Sequence, residues 1–107
     1  MKEVNEKDWK LFRSKIEEWN ERYFNKVNQE YINILKGDES ETTKYWKLRD
    51  KLKENKKDAI FQIEMRRSYL HINMINLMVD EIITKDDLEG FSEEFIEDIL
   101  FVSQYNK

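Results

Sequence analysis

A chain of 107 residues is the size of one domain; its 39% hydrophobic content with 13% aromatics is too high for a disordered polyelectrolyte, and 39% charged residues demand a solvated exterior. There is no cysteine, which excludes disulfides, thiolate metal sites and thiol nucleophiles, and with no proline and only Gly37 and Gly90 the many tight turns of an all-β fold are not available. The net charge of −4 conceals a segregation: residues 44–57 carry seven Lys or Arg against two acids, and residues 78–107 carry nine acids against two lysines.

A first helix is expected from Glu6, because Asn5 can cap it, Asp8 stands at the third helical position, and Val4 and Trp9 are spaced as a hydrophobic staple. Trp9, Phe12, Ile16, Trp19, Tyr23, Val27, Tyr31 and Ile34 then recur at three- and four-residue steps until Gly37 offers a stop. About 30 residues at 1.5 Å each make a rod of about 45 Å. The stretch 37–43 is polar and turn-rich, and Asp38 with Glu41, or Ser40 alone, can cap the next helix.

That second helix is predicted to run to about Lys57, with Tyr45, Leu48 and Leu52 inward and its other faces basic. The polar run Asn55 to Asp58 marks its end, although no Pro or Gly separates it from the next element and one continuous helix is the alternative. A third helix over Ala59 to Ile83 is apolar around most of its circumference: Phe61, Met65, Ile72, Ile75, Val79 and Ile82 on one side, Ile63, Leu70, Met74 and Leu77 on the other. The alternation of Phe61, Ile63 and Met65 with Gln62 and Glu64 also suits a short strand, but no second strand signal pairs with it. Thr84 to Asp87 begins a short helical turn with Ile83 and Leu88 stapled, Gly90 ends it, and Ser92 caps a last helix that buries Phe95, Ile99 and Val102, with Ile96 and Leu100 at its edges. The pattern is that of one all-α domain over residues 1–107, a three- to four-helix bundle with a long N-terminal and a short C-terminal helix.

Chemistry-bearing signals are few. The one histidine, His71, falls on the apolar side of the third helix, where a core imidazole with one hydrogen bond is the simpler reading; a di-iron helix would place Glu three residues before it, and that position is Ser68. With Gly90 at the sixth position of a calcium loop, Lys85 and Ile96 occupy the first and twelfth, where carboxylates are required. The two glycines are too far apart for a phosphate-binding loop. No enzyme activity, cofactor or metal is therefore expected. No run approaches the roughly 18 apolar residues of a membrane span, and the first residues lack the apolar core of a secretory signal, so the expected location is cytoplasmic.

Two aromatics project away from their helical stripes. Trp46 falls among Arg49, Asp50, Lys53 and Lys57, and Phe101 among Glu94, Glu97, Asp98 and Tyr105. Large aromatics off the core stripe are candidate interface anchors, although each can instead pack on a helix edge or under a cationic stem. Leu11 and Ile32 are milder cases, read as stray surface apolars. The basic helix could neutralise phosphates, and the acidic C-terminal region could imitate them.

Across Trp46 to Glu94, the segments Trp46-Lys-Leu-Arg-Asp50, Met65-Arg-Arg-Ser68 and Asp87-Leu-Glu-Gly-Phe-Ser-Glu-Glu94 resemble a group of short, uncharacterised helical proteins of low-GC bacteria and their phages. The resemblance covers under half of the chain; it implies an all-helical fold and brings no activity, cofactor or site residue. The function expected from the residues is binding of a macromolecular partner, as an adaptor, inhibitor or immunity-type factor, through Trp46, Arg49, Lys53 and Lys57 and through Glu94, Glu97, Asp98 and Phe101, the partner being another protein or a second copy. The alternative is a nucleic-acid-associated regulator using the basic helix, as a dimer, because one short helix gives limited contact.

Overall fold

Helix α1 spans Glu6–Lys36 in the computed structural model, which describes residues 3–105 of the chain. Its start is the expected one: Asn5 is extended and its side chain accepts the Lys7 N–H at 2.8 Å. Thirty-one residues make a rod of about 46 Å, which sets the 53 Å long axis of the molecule. The radius of gyration, 16.5 Å, exceeds the roughly 13 Å of a compact domain of this length. The excess arises because the two halves of α1 pack on different elements.

The N-terminal half brings Trp9, Phe12, Trp19 and Tyr23 into the core with Leu70, Met74 and Leu77 of α3 (Leu70–Val79) and Phe95 and Ile99 of α4 (Glu93–Tyr105). The C-terminal half continues past this core and pairs chiefly with α2 (Glu41–Asn55), forming an antiparallel hairpin. Gly37 stops α1 with φ −64°, so the turn does not use glycine's left-handed freedom. Ser40 caps α2 by accepting the Thr43 N–H. Among the described residues there is no strand, and the four helices include the long first and short last ones.

The third helix is shorter than its apolar run predicts. Residues 59–62 form a 3-10 turn, Ile63 and Arg66 are extended, Arg67–Tyr69 is a second 3-10 turn, and only Leu70–Val79 is α-helical. The competing interaction is the side chain of buried Asn73, which donates to the Glu64 carbonyl at 2.8 Å and accepts the Glu64 N–H at 3.3 Å. One amide thus takes both backbone groups that a helix through Glu64 would have used, as a neighbouring strand would. The alternation around Ile63 is therefore an extended segment paired with a side chain. Phe61, Met65 and Ile72, expected in the core, are exposed. The end of α2 at Asn55 excludes one continuous helix through this region.

The corner after α3 follows its local signals closely. Thr84 and Asp87 form a capping box around the 3-10 turn Lys85–Leu88, with Ile83 and Leu88 buried. Gly90 has φ +95°, a conformation that a side chain disfavours, and a Cβ there would also meet Leu11. Leu11 is thus part of the packing and not a stray apolar. α4 buries Phe95 and Ile99 as expected, but Val102 is exposed and Ser103 takes the buried position, its hydroxyl donating to the Leu100 carbonyl. The line in contact is Phe95, Ile99, Ser103, at four-residue steps.

The N-termini of α1 and α4 are joined by a buried carboxylate. Asp8, 1% exposed, accepts the Ser92 N–H at 2.8 Å and the Ser92 hydroxyl at 2.6 Å. Both helix N-termini favour negative charge there. Ser92 therefore ties two helices together in addition to standing before α4.

Candidate interaction surfaces

The rotation of α2 against α1 is fixed by a polar cluster at the base of the hairpin. Tyr31 donates to the Asn55 side-chain oxygen at 2.6 Å, Tyr23 donates to Asp58 at 2.6 Å, and the Asn55 amide reaches the same Asp58 carboxylate. Asp80 closes the cluster from the end of α3 by accepting the Ala59 N–H at 2.7 Å. With Asn55 buried, the face of α2 turned to α1 is the line Lys44, Leu48, Lys51, Asn55, in which lysine stems supply the apolar surface. Tyr45 and Leu52, expected inward beside Leu48, are turned outward and exposed.

This rotation makes the hairpin two-sided. At 100° per residue, Glu30, Lys51 and Lys47 fall on one side, where Lys51 pairs with Glu30 and Lys47 with Glu39. A groove of about 500 Å³ opens on that side, lined by groups of both signs that include Arg22, Lys26, Glu30, Lys51, Asp58 and Asp87. On the other side, by the same projection, lie Phe24, Ile32 and Leu35 of α1 and Tyr45 and Leu52 of α2, all exposed, and Phe61 stands edge-on to Phe24 at 5.7 Å. Ile32, taken singly, looks like a stray apolar; in the fold it belongs to this continuous face.

Trp46 stands at the α2 edge of the apolar face, edge-on to Tyr45 at 4.9 Å, with the Arg49 guanidinium 4.6 Å above its ring. Arg49 also pairs with Asp50, while Lys53, Lys56 and Lys57 have no ion-pair partner among the described residues. Phe101 lies on α4 against Tyr105 at 5.1 Å, on the same outward side as Glu94, Glu97 and Asp98 in helical projection. Trp46 is 47% and Phe101 62% exposed, so the two rings do not bury one another within the chain. The structure brings Trp46, Arg49 and Lys53 to one edge and leaves the α4 group on a separate surface. Sequence reading missed Phe24, Leu35, Tyr45, Leu52 and Phe61 as surface residues; their only signal was an excess of apolar positions over what one stripe per helix can bury.

Three ionisable groups in the hairpin base and groove, Arg22, Asp87 and Tyr23, are strongly held. Arg22 makes a bidentate contact with Asp87 at 2.8 and 2.9 Å and also donates to the Ile82 carbonyl. Burial works to raise the Asp87 pKa, but the Arg22 hydrogen bonds and charge together with the Thr84 N–H and hydroxyl outweigh it and hold the carboxyl below its ordinary value. The Tyr23 phenol is pushed far above its ordinary value by burial first and by its hydrogen bond to Asp58 second. A raised folded pKa means that its contribution to stability is complete below the unfolded tyrosine value of about 10 and is lost as pH rises beyond it. Denaturant unfolding between neutral pH and pH about 11 should therefore show a loss of stability on the alkaline side that is smaller in Tyr23→Phe. Equal alkaline losses in the two proteins would remove Tyr23 from the cluster.

His71 is buried and edge-on to Phe95 at 4.9 Å, beside a small depression that Asp8, Ser92, Glu94 and Asp98 also line. Among the described residues no three His, Cys, Asp or Glu side chains are placed to hold a metal ion, and no helix is long and apolar enough to cross a membrane. No known protein family, curated protein or solved structure matches this chain.

Proposed function

We propose that this protein is a small helical interaction module that acts by binding a macromolecular partner, as an adaptor, inhibitor or immunity-type factor, with the α1–α2 hairpin as its principal binding surface. The observation that carries this reading is the continuous apolar side of a hairpin that projects from the core: exposed apolar surface gathered on one face, rimmed by polar groups, marks binding sites far more often than the same residues scattered. Trp46 with Arg49 adds the rigid aromatic and cationic anchor typical of interface centres, and Lys53 extends its basic edge, with Lys57 in the turn beyond α2. The α4 group Glu94, Glu97, Asp98 and Phe101 is a second, acidic surface. The ion pairs of Lys44, Lys47, Lys51 and Arg49 support a protein partner over nucleic acid, because four of the seven basic groups in residues 44–57 are already opposed by carboxylates.

The test is affinity capture with the tagged full chain, comparing wild type with Trp46→Ala, Leu35→Lys and Phe101→Ala at unchanged helical circular dichroism. Capture of a protein, including an untagged copy of the chain, is expected to fall in the two hairpin variants. Equal capture by all four proteins would remove the hairpin as the binding surface.

A further inference from the structure

We infer that the occupant of the apolar hairpin face is a second copy of this chain, so that two hairpins close into a four-helix arrangement; this rests on the reading of the hairpin as an interaction surface. Phe24, Ile32 and Leu35 lie within about 80° of α1, and Tyr45 and Leu52 within about 20° of α2, so the two arcs form one flat strip along the antiparallel pair. Phe24, Ile32, Leu35, Tyr45, Leu52 and Phe61 are between 36% and 62% exposed. Taking roughly 200–250 Å² for each such side chain exposed in full, they leave on the order of 600 Å² uncovered. Two copies laid face to face would bury about 1,200 Å², the lower bound of stable specific interfaces.

A second copy fits this strip on three grounds. The strip is flat and two helices wide, and two such strips facing one another make the closed core of a four-helix bundle, in which each helix buries apolar positions on two sides. A two-fold pair also uses the same patch twice and leaves no apolar remainder, whereas a head-to-tail contact would. Charge permits the approach: residues 24–61 carry nine basic and seven acidic groups, so like hairpins repel little, in contrast with the acidic residues 78–107. The rim is basic at the α2 edge (Arg49 and Lys53, with Lys56 just past the helix end), whereas the α1 side is acidic or uncharged: Asn25 borders the strip, and Glu21 and Asn28 fall within its arc, all of them exposed. Laying α2 of one copy over α1 of the other sets these unlike edges together. The opposite side of the hairpin, already ion-paired, stays free in the dimer.

Sedimentation equilibrium of the full chain up to millimolar concentration is expected to pass from 13.3 kDa to twice that mass. Leu35→Lys and Ile32→Glu, each present twice in a two-fold interface, should weaken the dimer by about 100-fold or more while helical content is unchanged. Lys47→Ala, on the ion-paired side, should leave the dimer intact. Because the chain has no cysteine, Asn28→Cys mixed with Lys53→Cys should give a mixed disulfide more readily than either protein gives its own. A wild-type chain that stays monomeric, or a dimer indifferent to both Leu35→Lys and Ile32→Glu, overturns the inference. If the chain is monomeric and Leu35→Lys still abolishes capture of another protein, the second copy is the wrong occupant and the interaction reading stands. If Leu35→Lys changes neither association nor capture, both fall.

Discussion

Leu77→Ala is expected to cost about 2–5 kcal/mol of folding stability, the range for removing a fully enclosed leucine side chain. Leu77 has no exposed surface and stands in α3 among Leu70, Met74 and Met78, with Phe12 and Trp19 of α1 in the same core cluster. The cost has two parts, the lost transfer of its methyl and methylene groups and the cavity that the rigid surroundings leave. The aromatic rings of α1 are held on a long helix and have little room to collapse into the gap, which favours the upper part of the range. Its carbonyl also accepts from both Ile82 and Ile83 at the helix end, but the substitution leaves these backbone bonds in place. Urea unfolding of wild type and variant measures the difference. A loss below about 0.5 kcal/mol would mean that α3 lies at the surface.

Asn73→Ala is expected to cost about 1–3 kcal/mol, through hydrogen bonding more than through volume. The side chain bonds both backbone groups of Glu64 and is itself buried, so truncation leaves the Glu64 N–H to find water, while the carbonyl keeps only the Arg66 N–H at 2.8 Å. The effect should be local as well as global, with faster amide exchange around residues 63–66 than elsewhere in the core. Asn73→Asp separates the two bonds: it keeps an acceptor for the Glu64 N–H but has no donor for the carbonyl and adds a buried charge. If both variants unfold at the wild-type midpoint with unaltered exchange, the side chain does not hold this segment.

The hairpin and the core answer to different constraints. The core closes on itself, and every buried side-chain nitrogen or oxygen among the described residues has a partner. The hairpin keeps one side satisfied by ion pairs and leaves the other apolar. An apolar side on a projecting pair of helices lowers solubility unless something covers it, which is the physical reason to seek function there and not in the groove around Arg22.

Local chemistry in the sequence determined the helical class and most element boundaries. Asn5, Ser40, the Thr84 and Asp87 pair and Gly90 act within a few residues of themselves, so their geometry needs no distant partner. The stripe of α1 was legible for the same reason: a period of 3.6 sustained over 31 residues has one geometric meaning. What the sequence left open was everything decided by long-range hydrogen bonds. Asn73 reaches nine residues back to Glu64 and shortens the third helix; Asn55, Tyr23, Tyr31 and Asp58, from two helices and a turn, rotate α2 so that Tyr45 and Leu52 face outward. Periodicity identifies the apolar residues of a helix but not the angle at which the helix meets its neighbour. A few buried polar contacts, too costly to leave unmade, set that angle and thereby decide which apolar residues form the core and which form the exposed side of the hairpin.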